Sequence, residues 1–226
     1  MPKKSSINPR KPSHVTKQRE RIIDLLAQAA QVEIDFTLDP RERPLTGIDL
    51  DQWRAAMGIS SADVAYALAI PPSKLAARCR ARTALSLDLE ILIRLYEKAP
   101  SPPTWYPPSM REVYEALYKA DQEQFAATHG TRAPGYARQG YYARFAALFG
   151  RTLHNAYRWI DHGGNVRADM SRIAGKLWQL PVNERKLTLE HLSRRAWKLR
   201  GIDFDLEFPE PTPEGLDGLW SKLERR

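Results

Sequence analysis

The chain is expected to fold as an all-α protein: two helical domains joined by a Pro-rich linker, behind a flexible basic N-terminus. Three observations carry that expectation. Apolar residues recur at i, i+3, i+4 spacing almost throughout, and alternation with period two is scarce. Apolar residues make up 42% of 226, enough to build real cores in one large domain or two small ones. Proline and glycine cluster between the periodic stretches, with five prolines in the nine residues 100–108.

Taken in order, residues 1–15 carry Pro2, Pro9 and Pro12 with Ser5, Ser6 and Ser13, a composition that favours a flexible arm. A helix is expected from about Thr16, an N-cap residue, with Ile22, Ile23, Leu25, Leu26 and Ala29 as its apolar stripe. Pro40 and Pro44 mark a connector over 34–47, and four helices follow at 50–57, 61–68, 72–80 and 87–98. These complete an N-terminal domain over 16–99. The Pro-rich stretch then opens a linker, 100–137, with short helices expected at 110–119 and 121–128. A second helical domain spans 138–202. The acidic tail, 203–226, is broken by Pro209, Pro211 and Pro213 before a last short helix at 215–223.

Charge narrows the class of partner. The net charge is +8, which favours polyanions because neutralised phosphates release condensed counterions. Its distribution is uneven. Residues 1–21 hold Lys3, Lys4, Arg10, Lys11, Lys17, Arg19 and Arg21 against Glu20 alone, whereas 202–218 hold six acids and no base. No run approaches the ~20 apolar residues of a membrane helix, and no apolar segment follows the basic start as in a secretory signal. The single cysteine, Cys79, excludes an intramolecular disulfide and a Cys-rich zinc site, and suits a reducing cytoplasm.

The segment Phe145–Asp161 has the makings of a helix-turn-helix. Ala146 is small where the second helix would cross the first, Gly150 allows positive φ at the turn, and Thr152 can cap the second helix. Ala156 and Trp159 would face inward. Leu153, His154, Tyr157 and Arg158 would face a major groove, with Asn155 beside them. This register resembles the Cro/repressor-like (Xre-type) helix-turn-helix family over roughly 25 residues, with Arg151 departing from the usual small aliphatic residue. A second, longer resemblance to the family covers about 50 residues: 53–60 as opening helix and turn, 63–70 as second helix, 72–78 as recognition helix and 86–95 as closing helix. There Ala69 replaces the turn glycine at some backbone cost. The outward face, Pro72, Ser73, Ala76 and Ala77, cannot make bidentate base contacts, but Lys74, Arg78, Arg80 and Arg82 can clamp phosphates.

What the resemblance implies is sequence-specific binding of double-stranded DNA, with base reading by Thr152, Leu153, His154, Asn155, Tyr157 and Arg158. Positioning would come from Ser73, Lys74, Arg78, Arg80 and Arg82, and the arm residues Lys3, Lys4, Arg10 and Lys11 could follow a minor groove. The aromatics Trp53, Trp105, Tyr141, Tyr142, Trp159, Trp178 and Trp197 sit among apolar neighbours and are expected in the core. No phosphate-binding glycine loop, nucleophile elbow or H-E-x-x-H pair is present, so no enzyme, metal or cofactor is expected. The role expected is transcriptional regulation. The alternatives are an accessory DNA-binding protein of a plasmid, phage or conjugative element, or a helical interaction protein that does not touch DNA. Either homodimerisation or a protein partner docked on the acidic tail is compatible with the charge pattern.

Overall fold

The computed structural model of the chain describes residues 14–101, 106–129 and 134–211. Among these the protein is all-helical, and the one β feature is an isolated bridge between Thr46 and Ala84. The helices are α1 (His14–Ala30), α2 (Gly47–Met57), α3 (Ser61–Ala67), α4 (Pro72–Cys79), α5 (Leu87–Lys98), α6 (Met110–His129), α7 (Pro134–Leu148), α8 (Leu153–Ile160), α9 (Ala168–Trp178), α10 (Val182–Lys198) and α11 (Phe204–Glu207). No described helix is long and apolar enough to cross a membrane.

Local chemistry sets the helix starts. Thr46 and Asp49 form a capping box on α2, in which the Asp49 carboxylate accepts from Thr46 N at 2.7 Å. Ser60 Oγ accepts from Asp63 N at 3.1 Å to open α3. Pro72 opens α4 from the first helical position, where its missing N–H costs nothing.

The helices assemble into two similar units, α2–α5 and α6–α9. In the first, α4 packs on α2 and α3; in the second, α8 packs on α6 and α7. The correspondence holds in the numbering. The ends of α3 and α7, all of α4 and α8, and the starts of α5 and α9 are each displaced by 81 positions, as in Pro72–Cys79 against Leu153–Ile160. Two expectations change here. Residues 110–129 form one helix of 20 residues instead of two short ones, and α6 packs into the second unit instead of lying in a linker. Unbroken 3.6-residue periodicity across Ala120–Asp121 leaves nothing to interrupt it.

The two units share one contiguous core that runs from Ile22 to Phe208. Its axis is α5, buried at every position from Leu87 to Tyr96 and packed against α9 and α10. A helix covered on all sides must neutralise its polar groups internally. Glu90 lies between two guanidiniums, with Arg94 Nη2 at 2.8 Å and Arg200 Nη2 at 2.7 Å, and all three side chains are buried. Arg200 also donates to Leu85 O at 2.8 Å, so α10 is tied to the start of α5.

On α10 the buried apolar stripe is Leu189, Leu192 and Ala196, whereas Leu187 is 69% exposed. It lies off the 189–192–196 spacing, and Ser193 and Trp197 occupy the buried face instead. The acidic segment, over its described part, folds back on the body. Ile202, Phe204 and Phe208 are buried, and Asp205 accepts from Arg144 at 3.0 Å and Arg194 at 2.8 Å. Glu207 pairs with Arg21 at 2.6 Å. Asp205 and Glu207 are thus paired within the chain. The helix expected at 215–223 lies outside the described residues.

Candidate nucleic-acid interface

The helix pairs α3–α4 and α7–α8 make their turn the same way. In the second unit, Arg151 N donates to Ala146 O at 2.9 Å, Gly150 N donates to Ala147 O at 3.0 Å, and Gly150 has φ 63°. In the first, Ile70 N donates to Ala65 O at 2.9 Å, Ala69 N donates to Tyr66 O at 3.2 Å, and Ala69 has φ 54°. These are paired Schellman closures with a left-handed residue at the turn. Asn155 N to Thr152 O (2.9 Å) and Lys74 N to Pro71 O (2.8 Å) then start the second helix in each unit.

α8 is locked to the body by one apolar stripe, Leu153, Ala156, Trp159 and Ile160, all buried. Leu153 was expected in the groove. It is instead 2% exposed, because it stands three residues before Ala156 and seven before Ile160 on that stripe. Tyr157 is half-buried and packs edge-on to Tyr142, with centroids 5.2 Å apart, so it supports the helix more than it projects from it. Burial pushes its hydroxyl above the usual phenol range. Thr152 has the extended backbone of an N-cap, but its side chain caps no backbone N–H. Its Oγ1 accepts from Asn155 Nδ2 at 3.0 Å, which ties the two side chains together.

His154 and Arg158 remain on the solvent face of α8. Arg158 is held along its stem. Gly164 N donates to Arg158 O at 2.8 Å, and a Cβ on Gly164 would stand 2.5 Å from Arg158 Cγ. Only glycine lets the loop after α8 come this close. The guanidinium reaches Asn155 Oδ1 at 3.4 Å, a weak contact that leaves its fork available. His162, Asn165 and Arg167 on the same loop are exposed and adjoin the face. In the sequence only the Gly163–Gly164 pair marks this loop.

On the first unit, α4 buries Leu75 and exposes Pro72, Ser73, Lys74, Ala76, Ala77 and Arg78, with Arg80 and Arg82 exposed just beyond. The face is small and basic, as expected. Arg80 Nε donates to Ala76 O at 3.1 Å, and Arg82 lies 5.9 Å from the Phe36 ring centroid. Cys79 is half-buried, and burial pushes its thiol up. The arm residues Lys3, Lys4, Arg10 and Lys11 lie outside the described residues.

Arg151, the departure in the second turn, pins the units together. Its guanidinium pairs with Asp88 and, at 3.2 Å, with Asp169, so this residue tightens the turn region. The aromatics behave as expected where described: Tyr141, Tyr142, Trp159 and Trp197 are buried, and Trp53 and Trp178 are partly so. That argues against a stacking platform for single strands. Among the described residues no cluster of His, Cys, Asp or Glu could hold a metal ion. No protein-family model, curated protein or solved structure matches the chain.

Proposed function

We propose that this protein binds double-stranded DNA sequence-specifically, as a non-enzymatic transcriptional regulator. The observation that carries the reading is α8: a short helix fastened to the core on one side, set behind a sharp glycine turn, and presenting His154 and a stem-braced Arg158 to solvent. A helix of this kind fits a major groove ~12 Å wide, and an arginine fork matches guanine O6 and N7. The exposed Lys74, Arg78, Arg80 and Arg82 add phosphate contacts of the sort that position a reader without specifying sequence.

The test is selection of bound duplexes from a random pool, followed by the Arg158→Ala variant on the recovered site. The expected outcome is an enriched motif whose affinity drops by ~5- to 150-fold in the variant, with relaxed preference at one base pair, the ~1–3 kcal/mol of a bidentate contact. Selection without enrichment, or a variant with unchanged affinity and preference, would overturn the reading.

A further inference from the structure

The displacement of 81 positions extends to the way the units meet. α5 and α9 are the closing helices of their units, and they pack on one another. Asp88 and Asp169 are equivalent positions on them, each the second residue of its helix. Both carboxylates meet on one guanidinium nitrogen, Arg151 Nη2, so the two equivalent side chains stand side by side. Contact between equivalent residues is the mark of an isologous interface, because a residue meets its own counterpart only beside a two-fold axis.

Each closing helix also reaches the helix-turn-helix of the other unit. Leu87, at the start of α5, lies against the turn of the second unit, where a Cβ on Gly150 would stand 2.9 Å from it. Arg172, on α9, donates to Tyr66 O at 3.2 Å and stacks 4.1 Å above the Tyr66 ring, at the end of α3. Contacts between the units thus run in both directions.

A two-fold between the units would keep equivalent elements at the same height along its axis, and so place α4 and α8 toward one end of the molecule. Their exposed faces differ at matched positions. Ser73 stands for His154, Ala77 for Arg158, and Arg78 for the buried Trp159. One face carries groups that discriminate base edges. The other carries small groups and cations.

We infer that the chain is an internal dimer that binds one duplex as a single chain, α8 reading bases in one half-site and α4 gripping the phosphates of the other. This rests on the DNA-binding reading above and adds the form of the target: two parts, only one of them sequence-specific. The centres of the two parts would be about one helical turn apart, ~10–10.5 bp, or a multiple of it.

The full chain would be mixed with a 40-bp duplex recovered by selection, or with a random 40-bp duplex at low salt if selection enriches nothing. Stoichiometry would be read by sedimentation, and contacts by hydroxyl-radical footprinting. One chain per duplex is expected, with two protected patches in this spacing and the selected motif confined to one. The Lys74→Ala/Arg78→Ala variant, altered only on an exposed face, should lose protection over the motif-free patch. Its salt-dependence slope should fall by about two. Two chains per duplex, a single patch, or a motif with information in both patches would overturn the inference and leave the DNA-binding reading standing. No binding to any duplex at low salt would overturn both.

Discussion

At the turns, two residues in matched places solve the same backbone problem at different cost. Ala69 and Gly150 both hold positive φ, 54° and 63°. An L side chain in that region costs roughly 1–2 kcal/mol, which glycine avoids. Replacing Ala69 by Gly relieves the strain but frees the unfolded chain, so a net gain of ~0.5–1 kcal/mol is expected. Gly150→Ala meets both penalties. Its Cβ would stand 2.9 Å from the Leu87 Cβ and Cδ2 atoms in a fully packed region. A loss of ~2 kcal/mol or more is expected. Denaturant titration of both variants checks the pair, and equal and opposite effects would be inconsistent with this account. Arg158 belongs at the same scale. In the proposed base-reading role it would depend on Gly164 as much as on its own charge, since any side chain there would displace its stem.

Between helices, the N-terminal ends of α5 and α9 bring two carboxyls onto one guanidinium. Burial, then the bond to and charge of Asp88, hold the Asp169 carboxyl above its ordinary value. Burial also raises Asp88, but Arg151 and the bond from Asp169 outweigh it and leave Asp88 below the usual range. A raised folded-state value means that Asp169 contributes stability when protonated, present below the ordinary carboxylate value of ~3.9 and lost as pH rises through its folded value. Asp169→Asn supplies a permanent N–H donor to Asp88 and removes that charge. Its thermal midpoint should exceed that of the natural chain at pH 7, by ~2–4 °C for each kcal/mol gained, and the excess should shrink towards pH 4. A midpoint lower than the natural chain at pH 7 would mean that Arg151 and Arg167, the latter 2.7 Å from Asp169, need both charges.

Across the whole molecule, the buried ion group at Glu90 decides whether the units form one body. Two cations share one carboxylate there, in a site with almost no solvent. Removing one partner of such a group leaves charge uncompensated in a low-dielectric interior and costs ~3–5 kcal/mol. Glu90→Gln should therefore lose about that much in urea unfolding. Far-UV circular dichroism and near-UV signals from Trp197 should be lost in one transition, since α10 joins α5, α7 and α9. Two separated transitions would show units that fold independently. The acidic segment works at this scale too: Asp205 and Glu207 fasten the C-terminal end of the described chain to Arg144, Arg194 and Arg21.

Periodicity and capping chemistry by themselves determined the helical class, and in the first unit they placed α3, α4 and α5 to within a residue. Ser60, Pro72 and Ser86 mark those starts locally, and such signals need no knowledge of the rest of the chain. The turn at Gly150 and the exposed His154 and Arg158 were legible for the same reason. Leu153 was not, because a helix of eight residues offers too few turns to fix its buried stripe. Nor was the fate of the charges. Arg151, Arg144, Arg200 and the acids of 203–210 look alike in sequence, and the pairs Arg144–Asp205, Arg151–Asp88 and Arg200–Leu85 span 61, 63 and 115 residues. Only the tertiary structure decided which of them are spent inside the protein, by packing α5 between the units. Burial there leaves no water to solvate a charge, so each must find a partner, and Lys74, Arg78, His154 and Arg158 are left facing outward.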